Sequence, residues 1–109
     1  PAPRLLVLGD MGEVGDQGAE FHAEVGAYAR EKGIDALFTL GDLCLHAHRA
    51  FGSQGGQHFA DMTALQGAVA AVWRGTASIL VKGSRFMKME RVVQTLQQQD
   101  ISVGETHAA

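Results

Sequence analysis

Two corners of the chain carry the residue types that could do chemistry. The first, Leu8-Gly9-Asp10-Met11-Gly12-Glu13-Val14-Gly15, sets a carboxylate among three glycines directly after an apolar run. The second, Lys82-Gly83-Ser84-Arg85, sets two cations, a hydroxyl and a glycine between the strand-like Ile79-Leu80-Val81 and a helical pattern that begins at Phe86. A helix N-terminus presents unpaired N–H groups and a partial positive charge, so the second corner suits a carboxylate or a phosphate. Arginine adds a planar two-pronged donor that lysine does not offer. Gly83 lets a ligand approach the backbone closely, or simply permits a positive φ. Asp10 can aim its carboxylate from a strand end toward a metal–nucleotide held by another domain, or it can satisfy turn amides. The residues alone leave both readings of Asp10 open. Taken by themselves, Lys82 and Arg85 are slightly better explained as solvated charges, and Ser84 as an N-cap.

Other chemistries are excluded by spacing. Glycines at 9, 12 and 15 do not match the dinucleotide fingerprint, and only Asp42 follows the second strand as an acid. A P-loop pattern is absent, so the chain cannot cradle a triphosphate alone. Leu8-Gly9-Asp10 and Leu40-Gly41-Asp42 superficially match two-metal phosphoesterase motifs. Gly12 then stands where a His ligand is needed, Leu45 where an Asp or Asn is needed, and the chain contains no Asn. A phospho-acceptor module would need an Asp at the third strand, and Gln57-His58-Phe59-Ala60 supplies none. The five histidines form no metal pattern: His46 and His48 are two apart and point to different helix faces, and His58 and His107 have no partners in sequence. His22, beside an apolar stripe, reads as a packed or surface histidine. Cys44, between two leucines, reads as a small buried hydrophobe. As the single cysteine it forms no internal disulfide, which fits a reducing compartment. Met87, Met89 and Trp73 read as packing residues.

Strands alternating with helices would position the two corners. Arg4–Leu8 reads as a buried strand. A glycine-rich loop leads to a helix with Phe21, Val25, Tyr28 and Ala29 on its apolar face, ending at Gly33. Ala36–Leu40 is a second strand, followed by a short helix from Leu43 to Phe51 closed by Gly52. After a loop over Ser53–Gln57, His58-Phe59 is a very short third strand. Asp61 or Thr63 caps a helix bearing Leu65, Val69 and Val72, which Gly75 breaks before a strand at Ser78–Val81. The last helix places Phe86, Met89, Val93 and Leu96 on one face. Ile101–Val103 reads as a small final strand. The pattern predicts a three-layer, Rossmann-like α/β domain with a mostly parallel sheet and right-handed crossovers. Strand order 3-2-1-4 would make strands one and four neighbours, with both corners at their carboxyl ends, where such folds bind ligands.

The bulk numbers agree with one domain: 109 residues, 46% apolar and 19% charged. A net charge of −3 with interspersed signs argues against a nucleic-acid or anionic-membrane binder. No apolar run approaches the roughly 18 residues of a membrane span, and no signal-peptide pattern is visible. The chain starts Pro1-Ala2-Pro3 with no Met, which reads as a piece of a larger protein.

The two corners, in this order, resemble the C-terminal domain of the Mur ligases. The matching residues are Val7-Leu8-Gly9-Asp10-Met11-Gly12-Glu13-Val14-Gly15, His22 with Val25-Gly26, Gly33-Ile34-Asp35, Phe38-Thr39-Leu40-Gly41, His58-Phe59, Asp61, Leu80-Val81-Lys82-Gly83-Ser84-Arg85, Met89-Glu90 and Val92-Val93. Val14 stands where Leu or Met is common. The pattern is most similar to the branch that adds D-Ala-D-Ala to UDP-MurNAc-tripeptide in bacterial peptidoglycan precursor synthesis. The resemblance implies a cytoplasmic ATP- and Mg²⁺-dependent amide ligase, with the nucleotide and metal bound mainly by a central P-loop domain. It implies N-terminal and central domains in cis, with residues 1–103 as the C-terminal domain; the tail over residues 104–109 reads from the sequence itself as disordered. It implies that Asp10 lies near the nucleotide, that Lys82, Gly83, Ser84 and Arg85 face D-Ala-D-Ala, and that this piece alone is inactive. A sister Mur ligase, a folate-type ligase and a non-catalytic Rossmann-like binding module are the alternatives.

Overall fold

Apolar runs too short for helices become strands buried on both faces. The computed structural model describes residues 2–12, 17–84, 87–99 and 106–108. In order these form β1 (Arg4–Gly9), α1 (Gly18–Glu31), β2 (Ala36–Leu40), α2 (Cys44–Phe51), β3 (Gly56–Phe59), α3 (Met62–Val72), β4 (Ser78–Lys82), α4 (Glu90–Gln99) and β5 (Thr106–Ala108). A 3₁₀ turn at Trp73–Gly75 separates α3 from β4. The sheet order is β3-β2-β1-β4-β5, and every pair is parallel. Central β1 pairs Val7 with Phe38 on one side and with Val81 on the other.

Strand side chains alternate between two apolar layers. Leu5, Val7, Phe38, Leu40, Ile79 and Val81 pack with Leu65, Val69, Trp73, Met89, Val92 and Leu96 beneath α3 and α4. Leu6, Leu8 and Leu37 pack on the other face with Ala29 of α1 and Cys44, Ala47 and Phe51 of α2. The three-layer α/β reading and the neighbouring of strands one and four both hold. Asp61 is the cap of α3, accepting from the Ala64 amide at 2.8 Å.

Several elements differ from the sequence reading, among them α1, α4 and the chain end. On α1 the buried face is Gly18, His22, Gly26 and Ala29; Phe21 is 37% and Tyr28 60% exposed. The cause is the approach of α2: a Cβ on Gly26 would lie 2.1 Å from the Ala47 carbonyl oxygen. Only the face of small residues can make that contact, so the apolar stripe turns outward. Val25 and Tyr28 rim a trough of about 300 Å³ floored by Leu6, Leu8 and Leu80, with Lys32 and Lys82 also on its wall. On α4 the fully buried positions are Val92 and Leu96, while Val93 is only partly buried. At the chain end, the expected strand Ile101–Val103 lies outside the described residues. β5 instead falls within the stretch read as a disordered tail from Gly104: Thr106, His107 and Ala108 pair with Ile79, Leu80 and Val81. Without β5 the outer edge of β4 would expose unpaired N–H and C=O groups, which an extended segment satisfies whatever its own sequence preference.

Candidate functional site

The chain moves outward from β1 through β2 to β3, then crosses back to place β4 on the other side of β1. That reversal puts the topological switch point at the carboxyl ends of β1 and β4, the place where open α/β sheets bind ligands. Asp10 follows β1 and Gly83-Ser84 follows β4. The Ser84 amide donates to the Asp10 carbonyl at 2.9 Å, so the two corners are joined by their main chains. Beneath them Gly9 and Gly83 leave room for one side chain. A Cβ on Gly9 would lie 2.7 Å from Met89 Sδ; one on Gly83 would lie 2.6 Å from Met89 Cγ and 3.3 Å from Gly9 Cα. Gly83 is therefore fitted to Met89 by packing, with its φ outside the left-handed region.

Asp10 is tied to a second element. Its carboxylate accepts from the amides of Leu43 at 3.2 Å and Cys44 at 2.8 Å, capping α2 from a neighbouring strand. Gly41 has φ +111°, and a Cβ there would sit 2.4 Å from Asp10 Oδ1. Both carboxylate oxygens thus accept from main-chain amides, and the charge is half-buried at the β1 end of the switch point.

A third tie comes from His22, which is 0% exposed. Its Nδ1 lies 2.7 Å from the Gly18 carbonyl, and its Nε2 accepts from the Met11 amide at 3.0 Å. A carbonyl can only accept and an amide can only donate, which assigns the hydrogen to Nδ1. Asp10, His22 and Cys44 bring donor atoms within 4.8 Å of one another. This set does not fit a metal ion. Both imidazole nitrogens and both carboxylate oxygens are already bonded to the protein. Burial, reinforced by the Asp10 charge and a hydrogen bond to it, pushes the Cys44 thiol far up, away from the thiolate a metal needs.

The remaining predicted site residues are placed unevenly. Lys82 is exposed at the end of β4 and Ser84 is half-buried beside Gly12. Arg85 lies outside the described residues. A feature not legible in the sequence sits at the ends of β2 and β3. Register pairs Thr39 with His58, and Thr39 Oγ1 lies 2.8 Å from His58 Nδ1. The His48 ring is 6.0 Å away. Burial, and then the neighbouring His48, lower the His58 pKa against the opposing pull of Asp10 and Asp42. Only strand register could have revealed this pair.

A parallel three-layer sheet with its two motif corners fused at the switch point agrees with the family comparison. The family model described as "Mur ligase, glutamate ligase domain" matches residues 1–85. The chain belongs to the Mur ligase family, as its C-terminal domain. Among its relatives, the UDP-N-acetylmuramoyl-tripeptide–D-alanyl-D-alanine ligase of Escherichia coli (strain K12) is 40% identical over 101 residues, covering 90% of this chain and 22% of that enzyme. The ligase of the same name from Bacillus subtilis (strain 168) is 36% identical over 103 residues, covering 91% and 22%. A crystal structure of MurF from Acinetobacter baumannii has the same fold, with a TM-score of 0.73 at 25% identity over 87% of this chain and 22% of that one. The chain thus spans about a fifth of the length of the relatives it matches.

Proposed function

We propose that this chain works as the C-terminal domain of an ATP-dependent ligase that adds D-Ala-D-Ala to UDP-MurNAc-tripeptide, and that the joined corners at the β1–β4 switch point are its contribution to the active site. The observation that carries the reading is the Ser84–Asp10 hydrogen bond, which unites the two family motifs at the switch point. In this reaction the tripeptide carboxylate takes the terminal phosphoryl group of ATP. The dipeptide amine then attacks the acyl carbon and phosphate leaves. Each step needs the partners aligned and water kept out, which a domain closing over the site supplies.

Lys82, Ser84 and Arg85 offer cationic and hydroxyl donors suited to the carboxylate of D-Ala-D-Ala, and Gly83 holds their corner against Met89. Asp10 lies toward the nucleotide. With no phosphate-cradling loop and no free metal-ligand set among the described residues, this chain leaves ATP and Mg²⁺ mainly to the central domain in cis. The working enzyme is read as cytoplasmic and bacterial, as the family resemblance implies. No helix of the described residues is long and apolar enough to cross a membrane.

In the full-length ligase, Arg85→Ala raises the KM for D-Ala-D-Ala about 10- to 150-fold, the loss of one charge-assisted contact, and moves the KM for ATP less. A collapse of ATP affinity with an unchanged dipeptide KM would reverse the assignment of the two corners. This chain alone neither hydrolyses ATP nor joins peptides in a coupled ADP-release assay. Turnover comparable to the intact enzyme would refute the division of labour.

A further inference from the structure

We infer that His22 is the positioning residue of the β1 corner, holding Met11 so that Asp10 and Gly12 are preset against Ser84 before substrate arrives; the inference rests on the ligase reading above. Three consecutive groups at this corner are each tied to a different element. The Asp10 carboxylate is held by α2 and the Asp10 carbonyl by the Ser84 amide. The Met11 amide is held by α1, through the His22 ring. Removing the third tie leaves the main chain between Asp10 and Gly12 without its anchor on that side.

The choice of histidine is informative because the site is costly for it. His22 is fully buried on a helix face otherwise made of Gly18, Gly26 and Ala29. An apolar side chain would fill the space without desolvating two nitrogens. A leucine cannot accept from Met11, whose amide would then be left unpaired. The imidazole is oriented from both sides: Nδ1–H donates to the Gly18 carbonyl in its own helix, and the Phe21 ring stands edge-on at 5.5 Å and 85°. With Nδ1 occupied in this way, Nε2 has one direction available, and the Met11 amide lies along it. Among the described residues, Asp10 and Cys44 each bring a side-chain ligand atom within 4.8 Å of a His22 ring nitrogen, and the α2 end holds Asp10 through the Cys44 amide.

Two substitutions separate positioning from bulk stability. In His22→Asn the side-chain amide reproduces the Nδ1 donor but does not reach Met11. In His22→Gln the side-chain oxygen falls near the Nε2 position and can still accept from Met11. In the full-length ligase, His22→Asn is expected to raise the KM for D-Ala-D-Ala about tenfold with the KM for UDP-MurNAc-tripeptide unchanged, and His22→Gln to return it to within about threefold of wild type. Amide exchange on this chain gives a readout independent of activity. Met11 should exchange about ten times faster in His22→Asn than in His22→Gln, while Val7 and Val81 keep their protection. Wild-type kinetics in His22→Asn, or losses in both variants that follow the drop in melting temperature and reach all substrates equally, would overturn the inference. If the wild-type ligase failed to use D-Ala-D-Ala, the functional reading would fall, and Met11 exchange would still decide whether His22 positions the corner.

Discussion

Replacing Gly26 by alanine pits helix propensity against packing. Propensity favours the change: alanine in a helix interior is worth about 0.5–1 kcal/mol over glycine. Packing opposes it. The new Cβ would lie 2.1 Å from the Ala47 carbonyl oxygen, 2.8 Å from its carbon and 2.9 Å from its Cα, where ordinary contact begins at 3.4 Å. All three atoms are backbone, so no rotamer change relieves the clash, and α2 must retreat by more than an ångström along its contact with α1. Overpacking of this kind costs about 1–3 kcal/mol, and the retreat also loosens Cys44, Ala47 and Phe51 from the sheet. The net is a loss of about 1–2 kcal/mol. In a domain of this size that lowers the melting temperature by about 4–15 °C. Gly67 is the control. It lies within α3, and a Cβ there meets nothing within 4 Å, so Gly67→Ala stabilises by about 0.5–1 kcal/mol. Thermal and urea unfolding of both variants check the pair. If Gly26→Ala were also stabilising, the close helix crossing would be wrong, and with it the account of why the apolar stripe of α1 faces outward.

Asp10→Ala removes the acceptor for the Leu43 and Cys44 amides at the start of α2 and should cost about 1–3 kcal/mol in urea unfolding, from lost capping and dipole compensation; Asp10→Asn should recover part of it, and a cost below about 0.5 kcal/mol would dismiss the cap. His58 has a lowered pKa in the folded chain, so below its ordinary value of 6.5 the unfolded state takes the proton first. Stability from this residue is therefore present at pH 7.5 and declines as the pH falls through 6.5 and below. His58→Gln should flatten that decline in urea titrations, and an unchanged slope would exclude His58 as its source. Cys44, buried and held as the thiol, should react with iodoacetamide at pH 8 only as fast as the domain opens, and rapidly in denaturing urea; fast native alkylation would contradict its burial.

Strands and their order were legible because short apolar runs buried on both faces have few other homes, and because glycine, proline and capping residues mark their ends. The joining of Asp10 and Ser84 followed from that order alone. Long-range geometry was not legible. The α1 stripe has a proper helical period, yet a single close crossing at Gly26 rotates the helix so that His22 enters the interior. Periodicity reports which side chains share a face, and the partner decides which face is buried. The Thr39–His58 pair depends on register between two strands, which a local pattern does not encode. β5 was missed because Thr106-His107-Ala108 has no strand signature of its own; it is a strand because β4 offers it an edge.

Gly9, Gly83 and Met89 belong to two motifs far apart in the sequence, yet they occupy one volume. Met89 takes its place because both glycines lack side chains, and a Cβ on either glycine would force Met89 to move. The letters of the two motifs are therefore not independent units of inheritance. A corner transplanted from a sister ligase to change the accepted amine would arrive with a floor shaped for another side chain. A workable chimera would move the β1 glycine, the β4 corner and the methionine together, and natural recombination within this domain faces the same constraint.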